Sequence, residues 1–212
     1  MIKAPALLSL LLVVAAFAVT TVPARAAAVR IVALGDSLTA GYGLGPGEGF
    51  TDQLQAAVKS WGQDVEIVNA GVSGDTAAGG LARLDWSLGE GADAVIVELG
   101  ANDMLRGFDP AETRAALGSI LKQLKAKKLP VLLVGMRAAP NLGPDYAARF
   151  EPIYEQLAEQ YGAMLYPFFL DGVAGQPALL QADGLHPNRA GVAVIVKRIF
   201  PAVERLIAEI PH

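Results

Sequence analysis

Residues 29–38 read VRIVALGDSL. The first six are almost continuously apolar, the pattern of a strand buried on both faces, and they run straight into a Gly-Asp-Ser turn. Downstream, strand-length apolar runs alternate with helical spacing. Phe50, Leu54, Ala57, Val58 and Trp61 recur at helical intervals, and residues 65–68 read as a second strand. Ala77, Leu81, Leu84 and Leu88 mark a second helix, weakened by Gly79 and Gly80, and residues 94–99 (AVIVEL) a third strand. Asp109, Pro110 and Glu112 then start a helix with a capping-box-like pattern, ahead of the stripe Leu117, Ile120, Leu121 and Leu124. A fourth strand at 131–135 leads into a Pro/Gly-marked loop at 138–145 and a helix with Phe150, Ile153, Leu157 and Tyr161, whose start is complicated by Pro152. Residues 163–166 give a fifth strand. The last helix begins near Asn188, and Pro201 is expected to kink or split it. This alternation predicts a three-layer α/β/α domain around a five-stranded parallel sheet, with Trp61 and Trp86 packed against it. In such sheets chemistry gathers at the carboxyl ends of the strands.

Composition narrows what that chemistry can be. The 212 residues include no cysteine and two histidines, which excludes disulfides, thiolate nucleophiles and Cys-ligated metal sites and leaves little for a His-rich metal centre. The net charge of −4 argues against a nucleic-acid groove. Much of the hydrophobicity lies in residues 1–26: Lys3, an apolar run over 6–19, and Ala24-Arg25-Ala26, an A-x-A cleavage signal. The run is short of the ~20 residues that span a bilayer. A cleaved export signal at 1–26 is therefore expected, followed by one domain at 27–212, periplasmic or secreted and without a stable membrane anchor. Taking Lys3 and Arg25 from the 17 basic side chains leaves 15 against 21 acidic ones, a net charge of −6.

The strand ends carry the candidate residues. Ser37 follows the first strand and is either an N-capping serine or a nucleophile, and a nucleophilic serine needs a base. Of the two histidines, His212 ends the chain, whereas His186 lies in Asp183-Gly184-Leu185-His186-Pro187 just before the final helix. An acid three residues before a histidine can turn back onto its Nδ1–H and leave Nε2 to accept a proton. Acyl transfer also needs donors for a developing oxyanion. Gly74, after the second strand, can present a backbone N–H; Asn102, after the third, can offer its side-chain amide. Each is equally readable as a turn residue. Asp36 and Asp103 read as supports for turn backbone, Asp75 as an N-cap, and Arg106 and Arg137 as surface charges.

Four blocks thus stand in order: GDSLTAGYG (35–43), NAGVSGDT (69–76), GAND (100–103) and DGLHP (183–187). Together they resemble the SGNH (GDSL) hydrolase superfamily over residues 29–210. Closer similarity is to its bacterial thioesterase, lysophospholipase and arylesterase group, through LARL (81–84), VELG (97–100), LRGF (105–108) and PNR (187–189). The resemblance implies a flavodoxin-like fold and a serine esterase without metal or cofactor. It makes Ser37 the nucleophile, His186 the base, Asp183 its orienter, and the Ser37 N–H, Gly74 N–H and Asn102 amide the oxyanion hole. A small acyl ester, thioester or lysophospholipid is the expected substrate, and a monomer the expected state. Met104, Leu105, Phe108 and Tyr146 are expected to line an acyl site. Two departures stand out. Ala101 replaces a frequent glycine, tolerable unless φ there is positive, and Gly71 stands where some relatives have serine, an exchange expected to be neutral for the chemistry. Two other functions compete: a carbohydrate O-deacetylase, active only on the shortest acyl groups, and a flavodoxin-like ligand-binding module with no reactive serine.

Overall fold

The computed structural model describes residues 29–89 and 91–211. The expected export signal, 1–26, lies outside them. The strand read from VRIVALG is β1 (Val29–Gly35), an interior strand of the sheet with both its edges paired. Parallel partners flank it: β2 (Val65–Gly71) on one side and β3 (Ala94–Glu98) on the other. Beyond β3 come β4 (Val131–Val134) and β5 (Met164–Tyr166), giving the order β2-β1-β3-β4-β5. This is the flavodoxin-like order, in which the chain reverses direction of growth between β1 and β3.

Position in the sheet explains composition. Ile31, Val32, Ala33 and Leu34 of β1, and all of β3, are buried on both faces. At the edge, β2 alternates: Val65 and Ile67 are buried, Glu66 and Asn69 exposed. The helix α2 (Phe50–Ser60) packs with α9 (Arg189–Ala208) in one layer. The other layer holds α3 (Ala77–Ala82), α6 (Pro110–Ala126) and α8 (Pro152–Tyr161). Short helices α1 (Ser37–Ala40), α4 (Leu84–Leu88), α5 (Ala101–Leu105) and α7 (Pro144–Phe150) complete the chain. Among the described residues no helix is long and apolar enough to cross a membrane.

Several local expectations are corrected. Pro201 does not split α9; it lies at an exposed position inside one continuous helix, while Val192, Ile195, Ile199, Val203 and Leu206 stay on the core. The helix expected over 77–88 breaks at Arg83, and the one carrying Phe150 and Tyr161 breaks at Glu151, so that Pro152 opens α8. Asp109 does cap α6, accepting from Ala111 N at 3.0 Å, but the Glu112 side chain makes no reciprocal bond. Trp61 and Trp86 do not pack on the sheet. Trp86 is 78 % exposed, and Trp61, just past α2, meets Phe200 edge-on at 5.9 Å.

At Gly71 the packing leaves no room for a side chain. A Cβ there would lie 2.3 Å from Ala40 N and 2.8 Å from the Thr39 carbonyl carbon, both backbone atoms. By contrast Ala101 sits in the first turn of α5 and is absent from the residues with positive φ, so the alanine carries no strain. Gly71→Ser is predicted to destabilise the protein by about 1–3 kcal/mol, read as a lower urea midpoint. An unchanged midpoint would contradict this packing.

Candidate active site

The end of β1 delivers Ser37 as the first residue of α1, but the cap is Asp36. Its Oδ1 accepts from Leu38 N at 3.0 Å. Ser37 therefore spends no side-chain oxygen on the helix. Its Oγ lies 2.9 Å from His186 Nε2, across 149 positions of sequence.

His186 is held by a turn built in advance of α9. Leu180 and Pro187 form an isolated antiparallel bridge, Gln181 N donates to His186 O at 2.7 Å, and Gly184 supplies the positive φ (69°) that closes the turn. Gln181 Nε2 donates to Pro187 O and to Tyr42 O, joining this turn to the segment after α1. The Tyr42 ring rests against the imidazole, centroids 4.7 Å apart. Asp183 Oδ2 lies 2.6 Å from His186 Nδ1, while its Oδ1 accepts from Leu185 N and His186 N. Those backbone bonds, first that from His186, then Leu185, then the ring, pull the Asp183 carboxyl down to about 2. It stays ionised and accepts the hydrogen bond from Nδ1–H, which leaves Nε2 as the acceptor facing Ser37.

The expected donors come from β2 and β3. Gly74 lies in the turn after β2 at φ 87°, which a side chain would strain even though a Cβ would meet nothing nearer than Arg106 Nη2 at 3.7 Å. The Gly74 and Ser37 N–H groups bond to no other group of the described residues. Asn102 Nδ2 donates to Asp75 O at 3.0 Å, and so ties α5 to the Gly74 turn, and to Asp36 Oδ2 at 3.1 Å. Asp103 accepts from Ala77 N and Thr113 Oγ1, the structural role read for it. Asp75 is not an N-cap: Thr76 Oγ1 caps α3 through Gly79 N, and Asp75 instead pairs with Arg83 at 2.6 Å. Arg106 Nη2 reaches Gly74 O, and Arg137 lies over the Phe168 ring at 5.0 Å.

Two buried groups escaped the reading from sequence. Glu98, at the end of β3, is 1 % exposed; its Oε2 accepts from Thr39 Oγ1 at 2.8 Å and Asp36 N at 3.4 Å, and Oε1 has no partner. Burial first, and the neighbouring Asp36 second, hold Glu98 in its neutral acid form well above the usual range. Asp36, also buried, is pushed up to about 6, again mainly by desolvation, against the lowering effect of its bonds from Leu38 and Asn102. A charged residue inside the apolar run AVIVEL (94–99) was the available signal. Arg83 was the other: it stood in the LARL block (81–84) with no role of its own read for it.

Ser37, Asn102 and His186 open onto a cavity of about 250 Å³. Met104 and Leu105 line it, joined by Met136, Phe168, Leu170 and Leu180. Phe108 and Tyr146 do not. The chain turns away after α5 through Gly107 (φ 66°), and the Tyr146 hydroxyl donates to Phe108 O while its ring stacks on Phe150. Another groove, about 480 Å³, lies at the amino ends of β4 and β5, beside Pro130 and Val131, with none of these residues in its lining.

Comparison with known proteins gives this geometry its family. A model of the GDSL-like lipase/acylhydrolase family matches residues 33–194. The chain belongs to that family. Within it, the chain is 41 % identical over 184 residues to "Esterase TesA" of Pseudomonas aeruginosa, covering 86 % of this chain and 92 % of that one. It is 41 % identical over 165 residues to "Thioesterase 1/protease 1/lysophospholipase L1" of Escherichia coli K12, covering 77 % and 78 %. Among solved GDSL-like structures, AlinE4, described as an SGNH-hydrolase family esterase, superposes with a TM-score of 0.73 at 48 % identity, over 86 % of this chain and 98 % of its own.

The buried pair makes stability depend on pH in a definite direction. A folded carboxyl that keeps its proton above its unfolded value contributes stability at low pH and loses it as pH rises through the folded value. Wild-type stability should thus fall with rising pH above about 4.5, by at most about 1.4 kcal/mol per pH unit for each proton retained. Glu98→Gln keeps the shape and removes the larger titration, so its urea-unfolding free energy should fall less between pH 5 and 8. Parallel slopes for the two proteins would contradict a neutral Glu98.

Proposed function

We propose that this protein is a serine esterase and thioesterase that hydrolyses single-chain acyl substrates through an acyl-enzyme on Ser37. The observation that carries the reading is the continuous relay Ser37 Oγ–His186 Nε2 (2.9 Å) and His186 Nδ1–Asp183 Oδ2 (2.6 Å), opening onto an apolar cavity. Ser37 Oγ attacks the acyl carbonyl carbon as its proton passes to His186 Nε2. Negative charge gathers on the carbonyl oxygen, where the Ser37 and Gly74 N–H groups donate and Asn102 Nδ2 turns to it from Asp36. Collapse breaks the bond to the leaving oxygen or sulfur, which takes the proton back from His186. Water, deprotonated by the same nitrogen, then releases the acid and restores Ser37.

Substrate class follows from the cavity. At about 250 Å³ it is smaller than ligand pockets of roughly 300–1,000 Å³, a size for one acyl chain. Its wall of Met104, Leu105, Met136, Phe168 and Leu170 favours chains longer than acetyl over an acetylated sugar, and the adaptable methionines suit varied chain lengths. Residues 1–26 supply the export signal, and the domain at 27–212 acts as a monomer outside the cytoplasm, with no membrane anchor after cleavage.

Ser37→Ala is expected to lose both ester turnover and labelling by a fluorophosphonate; full activity in that variant would sink the reading. Asp183→Asn should lower kcat by up to about 10⁴-fold through the wrong imidazole tautomer, with KM little changed. On a series of p-nitrophenyl esters from two to sixteen carbons, Leu105→Asp should shift the preference to short chains. Phe108→Asp, outside the lining, should leave it in place. The reverse pattern would move the acyl site to the Phe108–Tyr146 surface.

A further inference from the structure

The guanidinium of Arg83 lies beneath the two backbone donors without reaching the cavity. Its side chain is 16 % exposed and uses four of its five donors. Nε donates to Asp75 Oδ2 at 2.6 Å, Nη2 to Gly35 O at 2.8 Å, and Nη1 to Ala70 O and Ser87 Oγ, each at 2.8 Å. Three of these acceptors bracket the donor groups. Gly35 is two residues before Ser37, Ala70 is the penultimate residue of β2, and Asp75 directly follows Gly74. Asp75 O, in turn, accepts from Asn102 Nδ2. All three donors of the proposed oxyanion site are therefore referred to one planar group. The histidine turn is not, because no bond of Arg83 reaches residues 180–187.

We propose that Arg83 is a positioning residue for transition-state stabilisation, setting the spacing of the Ser37 N–H and Gly74 N–H through Gly35 O, Ala70 O and Asp75. The inference rests on the acyl-transfer reading and deepens it. A rigid fork is needed for this, since an ammonium carries a point charge and cannot reach Nε, Nη1 and Nη2 positions at once. Misplaced donors weaken binding of the oxyanion and leave the ground-state ester, held by the apolar cavity, almost unaffected. The burial of the Arg83–Asp75 pair, with both side chains under 20 % exposed, keeps water from replacing the lost contacts at full strength.

The test is a kinetic comparison of wild type with Arg83→Lys, Arg83→Met and Asp75→Asn on p-nitrophenyl esters, with near-ultraviolet circular dichroism to confirm packing. Folded Arg83 variants are expected to lose about 10- to 100-fold in kcat with KM within about threefold. The inhibition constant of an alkyl trifluoromethyl ketone, which forms an oxyanion adduct on serine, should rise by the same factor as kcat/KM falls. The acid limb of the pH profile should not move, because the Asp183–His186 turn is untouched. Should Arg83→Met fail to fold, Arg83→Lys and Asp75→Asn decide, the latter keeping its size while releasing the charged half of the clamp. Kinetics and ketone affinity within twofold of wild type in folded variants would overturn the proposal. So would a fall in kcat with ketone affinity unchanged, which marks a structural role only. Failure of the acyl-transfer reading is separable, because it would appear as undiminished turnover in Ser37→Ala whatever Arg83 does.

Discussion

At Gly35 the chain has room for a hydrogen and nothing more. A Cβ there would stand 2.0 Å from Thr39 Oγ1 and 2.8 Å from Glu98 Oε2. That close approach lets β1 pair with Gly71 on one side and Glu98 on the other while α1 folds back over its end. The Gly35 carbonyl then accepts from Val72 N and Arg83 Nη2, which bring in the turn after β2. Ser37, the Gly74 turn and α5 all hang from this junction, at the point between β1 and β3 where doubly wound sheets leave a crevice. The site is therefore a consequence of strand order. A larger residue at position 35 would disturb the nucleophile, the donors and the sheet together.

Three carboxyl groups show how environment divides labour near one serine. Asp183 is partly exposed and surrounded by donors, which hold it ionised against His186. Glu98 is buried with a single hydroxyl donor and one weak amide contact, and it keeps its proton. Asp36 lies between them in character, buried yet bonded to Leu38 and Asn102. Ionising both members of the Asp36–Glu98 pair would place like charges in a buried region, so the fold retains a proton there. The cost falls on stability at higher pH, while Asp36 gains a fixed position from which to orient Asn102.

Long, unambiguous patterns were readable from residues alone. The continuous apolar runs at 29–34 and 94–98 identified central strands, and the single usable histidine beside an acid pointed to the geometry found around Ser37. Features that depend on contacts between distant segments were not readable. Trp86 is 78 % exposed because α4 turns its outer side to solvent, which a hydrophobicity pattern does not report. Phe108 and Tyr146 looked like cavity residues by proximity in sequence, yet Phe108 follows a positive φ at Gly107, and Tyr146 in α7 bonds Phe108 O and stacks on Phe150 outside the lining. Arg83 and Glu98 gain their meaning from partners 4 to 62 positions away, and Asp75 exchanged a local capping role for a bond to Arg83. The same holds for Gly71, whose need for bareness comes from the backbone of Thr39 and Ala40.

Three segment ends, after β1, β2 and β3, converge on one reacting atom. A crystal structure of the enzyme phosphonylated on Ser37 tests it most directly, since the phosphoryl oxygen stands in for the oxyanion. That oxygen should lie within about 3.2 Å of Ser37 N, Gly74 N and Asn102 Nδ2, with His186 Nε2 still beside the Ser37 oxygen. A phosphoryl oxygen turned to solvent, with no contact to Gly74 or Asn102, would contradict it.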